Sequence, residues 1–204
     1  MFDNAQTAAA ACGSFVGMHA LFTMEHGKAA YGADFALYLA GVVAIAAFLI
    51  VAGPPGHGSG SLSLVALGLA GWTMVEYLLH RFVLHGVQPF KRWHEEHHRR
   101  PTALICAPTI FSASLVVVLV FLPAFLLGGI WDACALTLGL VTGYLLYAVT
   151  HHATHHWQAK NAWLKGRKRW HALHHHHAGS GGYGVTTAFW DHVFGSAHVS
   201  KPPR

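Results

Sequence analysis

Nineteen histidines stand in a chain of 204 residues that carries 13 Lys and Arg and 8 Asp and Glu, so imidazole is its commonest ionisable group. Most fall into four runs: His80-Arg-Phe-Val-Leu-His85, His94-Glu-Glu-His97-His98, Thr150-His151-His152-Ala-Thr-His155-His156, and His171-Ala-Leu-His174-His175-His176-His177. Neutral imidazole suits zinc, iron, copper or nickel, and random placement would not repeat His-x-x-His-His twice. Positions i, i+3 and i+4 of a helix share one face. By that spacing His94, His97 and His98 can converge on a metal, as can His171, His174 and His175. His151 with His155 and His152 with His156 are both i, i+4 pairs, and periodicity does not choose between them. Five residues turn a helix by about 140°, which puts His80 and His85 on different faces. Either the helix breaks near Gly86, or the two serve different metals. Up to ten ligands exceed what one ion can use, so two ions are implied.

Ligating histidines usually hand their second ring N–H to a carboxylate or a carbonyl. Glu76, one turn before His80, is the acidic residue expected within a membrane span, where an ionisable group is a functional suspect by default. Asp191, in Phe189-Trp-Asp-His-Val-Phe-Gly195, could serve the last cluster in the same way. The plain alternative for both is a structural hydrogen bond or a helix cap. His19, His26, His57, His192 and His198 stand alone and read as ordinary core or surface residues. No nucleophile elbow such as Gly-x-Ser-x-Gly competes for the chemistry.

The elements that must position these rings are membrane helices. Apolar residues make up 53% of the chain and charged ones 10%, against about a quarter charged in a soluble domain; soluble and disordered readings both fall. Crossing a bilayer takes about 20 apolar residues, and four stretches qualify: Phe35 to Ala52, Leu62 to Leu84, Thr109 to Ile130 and Ala133 to Thr150. Gly53-Pro54-Pro55-Gly56 ends the first, and Pro123 is expected to kink the third. The stretch 5–22 reads as a short interfacial or re-entrant helix. Lys91, Arg92, Arg99 and Arg100 follow the second span, and Lys160, Lys165, Arg167, Lys168 and Arg169 follow the fourth. By the positive-inside rule both segments, both termini and the histidines are cytoplasmic. Trp93, Trp157, Trp163 and Trp170 accompany those cations as interfacial rings do. Some of the cations could also steer an acidic electron-donor protein.

Length fits one all-α integral-membrane domain over 1–204, with an N-terminal segment 1–34, transmembrane helices over 35–150 interrupted by a cytosolic loop 85–108, and a cytosolic cap 151–204. The net charge of +5 does not indicate a nucleic-acid surface. Cys12, Cys106 and Cys134 form no C-x-x-C pair and read as buried thiols. The first 34 residues lack the basic start of a cleaved signal peptide.

Glu76-Tyr-Leu-Leu-His80 through His85, His94-x-x-His97-His98 with Arg-Arg-Pro101, Tyr147-x-x-Thr150-His151-x-x-x-His155, and His171-x-x-His174-His175 leading to Gly182-Tyr-Gly-Val-Thr-Thr and Trp190-Asp-x-x-Phe-Gly195 together resemble the fatty acid hydroxylase/sterol desaturase superfamily. The resemblance covers about residues 62 to 196. It implies four transmembrane helices under a cytosolic helical cap, with His80, His85, His94, His97, His98, His151, His155, His171, His174 and His175 as ligands of two iron ions. Zinc can occupy such a site in a purified sample. The resemblance favours His151 and His155 over their neighbours and leaves His152, His156, His176 and His177 as spares. It implies an oxygenase that uses O2 and two electrons to hydroxylate an unactivated C–H bond of a lipid, closest to the fatty acid 2-hydroxylases. A carotenoid ring hydroxylase and a sterol or hopanoid oxidase are the neighbouring alternatives. No cytochrome b5-like segment is visible, so electrons are expected from a separate cytochrome b5-like or ferredoxin-like protein with its reductase. The membrane would be a bacterial inner membrane or the endoplasmic reticulum. A zinc transporter or storage protein is the reading from another class, but a transporter places its polar ligands near the bilayer midplane on broken helices.

Overall fold

The computed structural model describes residues 25–56, 58–176 and 181–197. Among these residues every regular element is a helix, and the one β contact is an isolated bridge between Glu25 and Ile105. Helix α1 spans Lys28–Ala52 and stops where the Gly-Pro-Pro-Gly turn cannot continue it. Helix α2, Gly58–Leu78, runs on through a π turn over Leu79–Leu84. Helix α3 covers Phe90–Arg99. Helix α4, Thr109–Val116, widens into a second π turn over Val117–Phe121 and continues as α5, Leu122–His156. Helices α6, Ala162–His176, and α7, Phe189–Val193, complete the order. The expected interfacial stretch 5–22, together with Cys12, His19, His57, His177 and His198, lies outside the described residues.

Three elements are long and apolar enough to cross a membrane: Lys28–Ala52, Gly58–Leu84 and Thr109–His156. The third corresponds to two of the four expected spans. Its 48 residues would reach about 72 Å as a straight rod, but the rod is folded. Tyr38 of α1 bonds through its hydroxyl to Ser112 Oγ at 2.7 Å, and its ring lies 4.5 Å from that of Tyr144. Residues 112 and 144 can both meet one side chain only if the chain doubles back between them. The reversal is at Gly129, whose φ of 79° and ψ of −172° belong to a region open essentially to glycine alone. Pro123 is not the break: Phe121 and Leu122 stay in the right-handed helical region, and the widened turn before the proline accommodates its missing N–H.

Glycine lets α2 and α5 meet backbone to backbone. A Cβ at Gly68 would stand 2.3 Å from the Leu136 carbonyl oxygen, and one at Gly139 would stand 2.0 Å from that of Val65. Such small-residue contact is how helices associate where water supplies no hydrophobic drive. Outward-facing residues are apolar to a degree no soluble domain tolerates: Ile50, Val51, Ile110 and Leu127 are 82%, 85%, 83% and 90% exposed. The chain is a membrane protein.

Two expectations change at this level. α1 begins at Lys28 rather than near Phe35, so it contains Asp34, which is buried and accepts a 2.5 Å hydrogen bond from Thr109 Oγ1. Glu76 is therefore not the only carboxylate within a span. Of the cysteines read as buried thiols, Cys134 is buried and Cys106 only half-buried.

Candidate metal centre

Two groups of imidazoles converge beyond the ends of α2 and α5. Site one gathers His80, His85, His94, His98 and His174; site two gathers His97, His155, His171 and His175. Within each group the candidate ligand atoms all lie within 4.8 Å of one another. His151 adjoins site two, its Nε2 standing 3.1 Å from His97 Nε2. The sites abut: the rings of His98 and His175 stack at 4.1 Å and 12°.

This arrangement overturns the simplest reading of the His-x-x-His-His boxes. Successive helical residues turn by about 100°, so His97 and His98 diverge, as do His174 and His175. The two sites lie on either side of each helix. From α3, His94 and His98 enter site one and His97 enters site two. From α6, His174 enters site one while His171 and His175 enter site two. Neither three-histidine box is spent on a single site.

His80 and His85 share site one, contrary to the alternative that they serve different metals, and the helix ends at Leu84, next to the break expected near Gly86. The π turn resolves the difficulty. Its i to i+5 hydrogen bond, from His85 N–H to the His80 carbonyl at 3.3 Å, brings the fifth residue back above the first. Their rings lie 5.2 Å apart. On α5, His151 and His155 turn toward the centre, whereas His152 packs beside Tyr31, His156 and Trp157 along a groove between α1 and α5.

Glu76 and Asp191 make no hydrogen bond to a histidine ring among the described residues; they hold structural hydrogen bonds, the plain alternative for both. Glu76, buried in α2, accepts hydrogen bonds from the N–H of Val185 (2.6 Å), the N–H of Thr186 (2.9 Å) and Thr186 Oγ1 (2.6 Å). Asp191, fully buried, accepts from the N–H of Tyr183 (2.9 Å), the N–H of Gly184 (2.8 Å) and Ser196 Oγ (2.8 Å). Half-buried Arg167 places its guanidinium 3.4 Å from the carbonyls of Gly184 and Val185. It shares the electrostatic neighbourhood of both carboxylates. The groups that do meet the ligand rings are main-chain carbonyls: His80 Nδ1 donates to Tyr183 O at 2.5 Å and His174 Nδ1 to Gly181 O at 2.8 Å. Sequence reading missed them because a carbonyl has no letter of its own; the signal available was the glycine-rich run 179–184.

The donor set fits a pair of metal ions. In site one, His94 Nε2 lies 2.9 Å from His80 Nε2 and 3.0 Å from His98 Nε2, and His85 Nε2 lies 3.1 Å from His174 Nε2. In site two, His171 Nε2 lies 2.8 Å from His155 Nε2 and 3.1 Å from His175 Nε2. Nitrogens bonded at about 2.1 Å to one ion stand about 3.0 Å apart at a right angle and about 3.4 Å apart at the tetrahedral angle. The observed spacings of 2.8 to 3.1 Å are close to those of nitrogens that share one ion. Burial, reinforced by neighbouring imidazoles, holds His94 and His171 well below the usual imidazole range. The same causes push His85 down to about 4 and His98 and His175 to about 3. Neutral rings at pH 7 are the form that binds metal.

Comparison with known proteins points the same way. The family model described as fatty acid hydroxylase matches residues 65–196. A dihydroceramide fatty acyl 2-hydroxylase of Arabidopsis thaliana is 35% identical over 144 residues, covering 65% of this chain and 60% of that protein. The fatty acid 2-hydroxylase of Rattus norvegicus is 32% identical over 146 residues, covering 65% of this chain and 39% of that one. The chain thus spans about three fifths of the plant relative and two fifths of the mammalian one. Among solved structures, full-length scs7p, of which only the hydroxylase domain is visible, superposes with a TM-score of 0.71 at 26% identity, covering 85% of this chain and 69% of that one. With its histidine boxes lying inside the matched segment, the chain belongs to the fatty acid hydroxylase family.

Proposed function

We propose that this chain is a membrane-bound di-iron oxygenase that hydroxylates carbon 2 of a fatty acyl chain, free or in a ceramide-type lipid, using O2 and two electrons. The observation that carries this reading is the pair of abutting imidazole groups whose Nε2 atoms stand close enough to share an ion. His80, His85, His94, His98 and His174 would hold one ion, and His97, His151, His155, His171 and His175 the other. When bound, iron supplies the oxygen-activating redox chemistry that side chains lack. The chain's own residues do the rest. Tyr183 O and Gly181 O fix the Nδ1–H tautomer of His80 and His174, which leaves Nε2 free to ligate. The packed rings of α3 and α6 exclude bulk water from between the two sites.

The fold suits four crossings. The arms 109–129 and 130–156 of the folded element contain 21 and 27 residues, about 31 and 40 Å of helix; each is long enough to cross a hydrocarbon core of about 30 Å. In this reading the chain is one integral-membrane domain. Helices α3, α6 and α7 form the cap on the cytoplasmic side, together with both termini and the basic residues. Electrons arrive from a separate, acidic cytochrome b5-like or ferredoxin-like donor. The membrane is a bacterial inner membrane or the endoplasmic reticulum.

The test is lipid mass spectrometry of cells lacking 2-hydroxylated lipids, supplied with a reductase system and this chain. New acyl lipids heavier by one oxygen atom, bearing hydroxyl at carbon 2 and lost with His98→Ala, are expected. Hydroxylated lipid that survives His98→Ala, or none at all from metal-loaded protein, would overturn the reading.

A further inference from the structure

The two sites are supported differently. In site one, His80 and His174 hand their Nδ1–H groups to main-chain carbonyls of one segment, Tyr183 O and Gly181 O. In site two, the buried Nδ1 atoms of His97 and His171 have no hydrogen-bond partner among the described residues, and His175 faces the main chain of its neighbour ligand His98. The segment that supplies the carbonyls is itself held on both sides. Glu76 takes the N–H groups of Val185 and Thr186 and the Thr186 hydroxyl. Asp191 takes the N–H groups of Tyr183 and Gly184. The cradle is shaped for this path: Gly181 and Gly182 have φ of 113° and 69°, and a Cβ at Gly184 would stand 1.9 Å from the Thr187 carbonyl oxygen. Gly182 N–H closes the segment onto Ser196 O at 2.9 Å.

Resting on the two-metal reading above, we propose that the sites are unequal: Glu76 and Asp191, acting through the carbonyls of residues 181 and 183, pre-orient site one, which binds a divalent metal more tightly than site two. Both carboxylates are positioning residues. Neither reaches a ligand; each fixes a loop whose carbonyl oxygens lock the orientation and tautomer of two rings. Rings fixed before the ion arrives lose less freedom on binding, and outer partners of this kind are worth roughly 10–100-fold in metal affinity. No carbonyl of the 181–183 segment is seen to reach a ring of site two, so fewer of its rings are fixed in tautomer and orientation before the metal binds.

The experiment is a Co(II) titration of the metal-free full-length chain in detergent, followed by the visible absorption of the bound ion and by chelator competition. The wild type should fill in two steps. His85→Ala should remove the tight step and His155→Ala the weak one. Asp191→Asn, which turns an NH2 group toward a backbone N–H, and Glu76→Ala should each weaken the tight step by roughly 10–100-fold and leave the weak step unchanged. Thr73→Val is the structural control, because Trp190 Nε1–H ties the same segment to the same helix through Thr73 Oγ1 at 2.9 Å without passing through the two carbonyls. It should leave both steps as in the wild type. Two equal steps in the wild type, or parallel weakening of both by Asp191→Asn, would overturn the inequality. Uptake of fewer than two ions by the wild type would instead remove the two-metal reading itself.

Discussion

His97 and His98 are covalent neighbours, yet they face different sites. That divergence makes a sharp prediction for single substitutions. His98→Ala and His97→Ala should each leave close to half the wild-type metal content, measured by elemental analysis, and the double variant close to none. Hydroxylation should fall by more than the ~10–100-fold expected for losing an outer hydrogen-bond partner, since each removes a ligand. A double variant that still keeps about half the metal would contradict the division, because both rings would then serve one common site. Acid offers a second test at this scale. In the unfolded chain an imidazole takes up its proton near pH 6.5, whereas the folded, metal-free protein holds His85 at about 4 and His98 and His175 at about 3. Between these values the unfolded state binds more protons, so stability is fullest above about pH 6.5 and is lost as pH falls toward 4. The Tm of metal-free protein in detergent should drop steadily from pH 7 to pH 5; a Tm that rises over that range would contradict the assignment.

Helices set where those rings can go. The π turn at Leu79–Leu84 brings residues five apart onto one side, which an ordinary α-helical turn cannot do. Nothing in the letters between His80 and His85 announces it, so their spacing alone argued for two metals or a broken helix. The α2–α5 contact has the opposite character, because its glycines are visible in the sequence but their partners are not. Gly139→Ala should place a Cβ 2.0 Å from the Val65 carbonyl oxygen and force the helices apart. Overpacking of that kind costs about 1–3 kcal/mol. The effect should appear as a lowered Tm in detergent, with metal retained less well at both sites because α2 and α5 each carry rings. A glycine that meets nothing, such as Gly71 in the facing helix α2, is the control, and Gly71→Ala should leave Tm nearly unchanged.

Taken whole, the molecule is apolar on its flanks and imidazole-rich at one end. The proposed topology puts the turn at 53–61 and the segment after α5 on opposite sides of the membrane. In a background with its cysteines replaced by serine, Ser59→Cys should react with a membrane-impermeant thiol reagent added outside intact cells. Lys160→Cys should react only after permeabilisation. Both positions are solvent-exposed, so the reverse pattern, or equal labelling, would contradict four crossings with a cytoplasmic metal end. The folded element Thr109–His156 matters here, because a single crossing would send the histidines of α5 to the wrong face.

Composition and periodicity by themselves determined that the chain is all-helical, that it lives in a bilayer and that four histidine runs gather at the ends of its apolar segments. Those properties are local or additive, since hydropathy sums along a stretch and helical spacing repeats from turn to turn. Only the tertiary structure decided which ring faces which site, that His80 and His85 belong together, that the chain reverses at Gly129, and that Glu76 and Asp191 grip a loop instead of a ligand. Each of these depends on what stands across from a residue in space. A backbone carbonyl, a widened turn or a close glycine contact leaves no mark in side-chain identity until the helices have packed.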